Sequence, residues 1–151
     1  MIFKNLRELN LISVEGFGEI NSQERILINN SLEKNYLKYR NSTKSYNFPI
    51  HEDSTLFFSK LYEKYKELCY QIFGNFHIAP QNKTTCWCYR SNVNDSTSVW
   101  HNHLATSTIN GVYYYQVEGD GITFTHKGKE FHYVPQQGEL LIFPNDLNHN
   151  A

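Results

Sequence analysis

Three histidines have the residue type and the spacing to do chemistry. His101 and His103 are separated by Asn102 in a strand-like stretch. The two-residue period of a strand puts both imidazoles on one face and Asn102 on the other. Two neutral imidazoles from one strand need a third ligand from elsewhere to form a three-point face on a divalent metal, with further positions open to substrate. His149 is the natural third, just past the run Glu139 to Phe143 and the turn Pro144-Asn145-Asp146. Chance is the competing explanation, because the chain carries 7 His in 151 residues and solvated strand histidines are common. His51, His77, His126 and His132 have no partner at ligand spacing and read as loop or hairpin residues, although His126 could approach the cavity. Cys86-Trp87-Cys88 also has same-face spacing, so a Cys2His2 zinc site with His101 and His103 is a rival arrangement.

The elements that must position these residues change character near residue 75. Residues 1–75 hold 10 Lys/Arg and 9 Asp/Glu, against 4 and 6 in residues 76–151. The first half reads as helices. Ile26, Ile28, Leu32, Tyr36 and Leu37 recur at helical spacing from Ser22 to Tyr39, and Phe57, Leu61, Tyr65, Leu68 and Ile72 make a stripe from Ser54 to Phe73. Asp53 or Ser54 can cap the second helix and Gly74 can end it in the left-handed conformation; residues 41–53 between them read as a loop. After Gly74 the period shortens to two, which predicts strands near Thr84–Arg90, Thr97–His103, Ile109–Val117, Ile122–His126, Phe131–Val134 and Glu139–Phe143. The expected fold is a single α+β domain over 1–151: residues 1–75 form a helical support, and residues 76–151 a sandwich or barrel.

Composition narrows the classes of function. A chain of 151 residues with net charge −1 has no overall field to collect nucleic acid or an anionic membrane. No apolar run approaches the roughly 20 residues needed to cross a bilayer. The first 20 residues carry charges through their apolar positions and do not form a secretory signal. Three cysteines with a one-residue gap between two of them do not suit a disulfide framework, so the expected compartment is the cytoplasm. The excess of 11 Tyr supplies flat amphipathic walls for a small-molecule site.

Trp100-His101-Asn102-His103, Asn110-Gly111-Val112-Tyr113-Tyr114-Tyr115 and Gly138-Glu139-Leu140-Leu141-Ile142-Phe143-Pro144 up to His149 together resemble the iron(II)- and 2-oxoglutarate-dependent oxygenases. The likeness is to small members, often viral, related in layout to prolyl hydroxylases. It covers residues from about 84 onward. The resemblance implies an incomplete double-stranded β-helix of the jelly-roll or cupin-like kind, and a dioxygenase that uses iron(II), 2-oxoglutarate and dioxygen to hydroxylate a substrate. It makes His101, His103 and His149 the metal ligands, with His103 standing where the family usually has a carboxylate. It also makes Tyr113 the donor to the far carboxylate of 2-oxoglutarate and Tyr89 a second tyrosine lining that pocket. Family members continue after the distal histidine into a strand with a basic residue, whereas Asn150 and Ala151 follow His149 here. The expectation is therefore a C-terminally truncated chain that binds metal and turns over 2-oxoglutarate barely or not at all, with Arg90 the first alternative anchor. The competing reading is a non-enzymatic β-sandwich or cupin-like binding module, with Trp87, Trp100 and the tyrosines as its ligand face.

Overall fold

The computed structural model describes residues 2–39, 46–74, 86–90, 100–104, 107–119 and 121–150. The described residues form an α+β structure of two α-helices and several antiparallel sheets, in which contacts divide the chain into two compact units.

The first unit takes Met1–Glu19 and Ser96–Ala151 and contains the strands β1 (Ile2–Leu6), β2 (Leu11–Glu15), β5 (Ile109–Tyr113), β6 (Ile122–His126), β7 (Lys129–Tyr133), β8 (Leu140–Pro144) and β9 (Asn148–Asn150). One sheet has the order β1-β2-β8-β5 and a second the order β7-β6-β9. β1 and β2 correct the expectation of helical support throughout the first half. They form a hairpin with Leu6 opposite Leu11, and Asn10 makes the tight return in the left-handed region at φ 52, a conformation asparagine tolerates better than most residues. Charged residues at Lys4, Arg7, Glu8 and Glu15 hide the strand alternation in the sequence. The core joins both sheets: Leu11, Leu141 and Phe143 of the first cluster with Ile122 and Phe124 of the second. Val112 and Tyr114 pack against the same cluster. The buried apolar side chains of that cluster are the main stabilising term of the unit.

A buried acid ties strands of the two sheets together. Glu139, 1% exposed, accepts hydrogen bonds from the hydroxyls of Ser13 on β2 and Tyr133 on β7, and from the Gln136 backbone N–H at 2.6 Å. A buried carboxylate held this way avoids the desolvation cost of an unpartnered one.

The second unit, Ile20–Asp95, holds α1 (Ser22–Tyr39), β3 (Tyr46–Pro49), α2 (Phe57–Phe73) and β4 (Trp87–Arg90). α1 has the expected span, and Asn21 and Glu24 cap it reciprocally through side chain and backbone. Its buried stripe is Ile28, Ser31, Leu32, Asn35 and Tyr36. Ile26 and Leu37 are exposed, because the polar Ser31 and Asn35 turn inward to Asp53 and to the Glu52 carbonyl. α2 starts three residues later than expected. The Asp53 carboxylate is engaged by Ser31, Thr55 and the Phe58 N–H, which bends Ser54–Leu56 into a turn before the helix begins. Gly74 ends α2 at φ 80 and ψ −152, a positive-φ conformation outside the left-handed helical well and suited to glycine. Part of the expected loop is strand: β3 pairs with β4, Phe48 opposite Cys88. The expected strand start at Thr84, residues 41–45 of the loop and His77 lie outside the described residues.

Candidate metal centre

The segment that carries His101 and His103 is not the strand expected over Thr97–His103. Residues 97–99 lie outside the described residues, and in the remainder the ladder is a single antiparallel bridge between His101 and His149. His101 N–H donates to the His149 carbonyl at 3.1 Å and His149 N–H to the His101 carbonyl at 3.0 Å. The next narrow rung would join His103 to Leu147. Instead His103 N–H donates to the Asn145 carbonyl at 2.9 Å, in the turn that follows β8. That departure leaves the Leu147 carbonyl to the ring of His149, whose Nδ1 lies 2.9 Å from it. A carbonyl only accepts, so Nδ1 carries the proton and Nε2 keeps the lone pair a metal requires.

Between these rungs Asn102 faces Asn148, with the Asn102 amide donating to the Asn148 side-chain oxygen at 2.9 Å. Asn102 Oδ1 also accepts from Leu104 N–H at 3.3 Å. The two asparagines occupy the face opposite the histidines, where they hold the ligand-bearing segments in register.

The three imidazoles converge. Ring centroids are 4.2 Å apart for His101 and His149, 5.1 Å for His103 and His149, and 5.2 Å for His101 and His103. One ligand nitrogen from each lies within 4.8 Å of the others. Three nitrogens at about 2.1 Å from one ion are about 3.0–3.4 Å apart, so small side-chain rotations close the set. Burial is graded, with His101 exposed, His103 intermediate and His149 buried against the rings of Phe143 and Phe124 at 5.0 and 6.2 Å. Desolvation holds the pKa of both His103 and His149 below the ordinary imidazole value, helped by the neighbouring imidazoles. The neutral form, which is the ligand form, is therefore favoured.

Other marked residues are placed elsewhere. Tyr113 sits on β5 opposite Leu140, and its hydroxyl donates to the Gly18 carbonyl at 2.9 Å. Alternation along β5 puts it on the sheet face opposite to Asn110, Val112 and Tyr114, of which Val112 and Tyr114 pack on the core that contains Phe143. Tyr89 is exposed on β4, and Cys86 and buried Cys88 also belong to the second unit. Among the described residues, the group of three or more potential ligands within metal-binding reach contains the three histidines and neither cysteine. Arg90 pairs with Glu33 and lies over the Tyr36 ring at 4.3 Å from its centroid. His132 Nδ1 meets the Thr123 hydroxyl at 2.9 Å.

Asn110 carries no sequence signal beyond its place in the Asn110-Gly111-Val112-Tyr113 run. Its Nδ2 is buried without a hydrogen-bond partner, while its Oδ1 accepts from the Ser107 hydroxyl at 2.6 Å. Asn110 pairs with Phe143 across the β5–β8 ladder, so the amide shares a face with the ring that packs on His149. A polar residue on an inward strand position is the signal that could have found it, once the inward face was known.

No family model, no curated protein and no solved structure matches the chain. No helix among the described residues is long and apolar enough to cross a membrane.

Proposed function

We propose that the chain is an oxygenase of the iron(II) and 2-oxoglutarate type, with His101, His103 and His149 as the protein ligands of the metal. The observation that carries the reading is the convergence of three imidazole donors from two bridged segments, joined to the motif order His-x-His, Gly-Val-Tyr-Tyr and distal His. The donor set fits a divalent ion of the iron, zinc or cobalt kind, because imidazole suits these metals better than magnesium or calcium. The two sheets that share one core are read as the incomplete double-stranded β-helix of such enzymes.

When bound, iron and 2-oxoglutarate would supply the hard chemistry: dioxygen places one atom in succinate, with loss of carbon dioxide, and the other in a substrate C–H bond. The chain's own residues do the rest. The Leu147 carbonyl fixes the His149 tautomer, Phe124 and Phe143 exclude water on the buried side, and Asn145 holds the backbone of His103. The cosubstrate part of the reading rests on the motif resemblance, and the Tyr113 hydroxyl that it nominates donates to the Gly18 carbonyl.

Anaerobic titration with iron(II) or cobalt(II) tests the metal: one ion binds per chain, and His103→Ala and His149→Ala each abolish it. Stoichiometric binding retained by both variants overturns the assignment. Succinate release above the metal-free control, however slow, supports the oxygenase. A metal-loaded chain that neither binds 2-oxoglutarate nor forms succinate is a metal-binding module instead.

A further inference from the structure

The three-histidine face is neutral, so a bound dication keeps its full charge and attracts anionic oxygen ligands to its open positions. Such a ligand needs a hydrogen-bond donor from the protein, and the buried Asn110 Nδ2 has no partner. An unpaired buried donor costs stability and is normally satisfied by protein or water. Asn110 cannot relieve it through Ser107, whose hydroxyl already engages the other end of the amide at 2.6 Å. β5 and β8 set the position: Asn110 lies directly opposite Phe143, directly opposed residues project to the same side of a sheet, and the Phe143 ring is 5.0 Å from that of His149. The lower end of the same face is occupied by Val112 and Tyr114, both packed in the core, so Asn110 is the polar residue of β5 on the side that carries the metal centre.

We infer that Asn110 is a ligand-binding residue of the metal centre, its amide N–H donating to a carboxylate oxygen of the anion held by the metal. The inference rests on the three-histidine reading and deepens it, because it selects small carboxylates as the ligand class. Asn110 does not touch the metal. Its loss therefore separates two quantities that a merely structural asparagine would move together, the affinity for the ion and the affinity for the anion.

The test uses the cobalt(II)-loaded 151-residue chain, with 2-oxoglutarate and oxalate as probes followed by the visible cobalt spectrum. Asn110→Leu removes the amide at similar size, and Asn110→Ala removes it together with most of the side chain, neither adding a charge. Both variants are expected to bind cobalt(II) within about twofold of the unmutated chain and to bind the probes at least about tenfold more weakly, the scale of one hydrogen bond to a charged group. Asn110→Leu is also expected to keep or raise the melting temperature of the metal-free protein, since it deletes an unsatisfied buried donor. Unchanged probe affinity in both variants overturns the inference, as does a parallel loss of cobalt affinity. If oxalate binds in an Asn110-dependent way and 2-oxoglutarate does not bind at all, the inference stands and the oxygenase reading falls. If the unmutated chain binds no cobalt, both fall.

Discussion

At the scale of the residue, His149 gathers most of the constraints. Its backbone makes the single bridge to His101, its Nδ1 is held by Leu147, and its ring lies between two phenylalanines and two histidines. Burial lowers the pKa of His149 and His103 from the ordinary 6.5, so in the metal-free chain the unfolded state binds more protons over the window just below that value. Folding stability is then fully present above about pH 6.5 and declines as pH falls toward the lowered folded-state values. NMR titration of the imidazoles should find both below 6.5, and chemical denaturation should show the decline; His149→Phe, which removes one titrating group, should flatten it. A folded-state pKa at or above 6.5 for both rings would contradict the burial argument.

At the scale of the element, β6 pairs with β9, which sets Phe124 opposite His149, and with β7, whose end a glycine approaches closely. Gly121 has φ 84, and a Cβ there would meet the Tyr133 carbonyl oxygen at 2.2 Å and the Val134 Cα at 2.9 Å. Both neighbours are backbone, which cannot rotate away. Gly121→Ala is expected to destabilise the sheet unit by at least about 2 kcal/mol, read from urea unfolding, whereas Gly119→Ala, with nothing within 4 Å of its added Cβ, should stay within about 1 kcal/mol. Equal effects at the two positions would show that the contact at Gly121 is relieved by strand movement. Phe124, fully buried in the core and opposite His149 on β9, is the most damaging truncation of this element. Phe124→Ala should cost about 3–5 kcal/mol and weaken metal binding, because β9 loses the wall behind its histidine.

At the scale of the whole molecule, the three ligands all belong to the unit formed by Met1–Glu19 and Ser96–Ala151, while α1 and α2 belong to the other. A metal held only by the folded site stabilises that unit by about 2.7 kcal/mol at a free concentration one hundred times its Kd. Hydrogen exchange should then slow in β6, β8 and β9 on adding cobalt(II) and change little in α1 and α2. Equal protection of the helices would mean that the units unfold together.

Much of this was present in the sequence. The spans of α1 and β6, the α+β class and the three candidate ligands follow from hydrophobic period, turn residues and imidazole chemistry, which are local or nearly so. Other features depended on partners distant in the chain. β1 and β2 become strands because β8 offers β2 a neighbour more than a hundred residues away, which no local pattern records. The convergence of His149 with His101 and His103 depends on one bridge and on the turn after β8, and a one-residue slip there would send the imidazoles to opposite faces. Tyr113 and Asn110 differ in the same way. The motif resemblance implied a role for the tyrosine and none for the asparagine, while in the fold β5 alternation against β8 sets the tyrosine beside Gly18 and the asparagine opposite Phe143. Residue chemistry is a property of the sequence, whereas the face a strand residue occupies is decided by what buries the strand, and that is known only when the chain is folded.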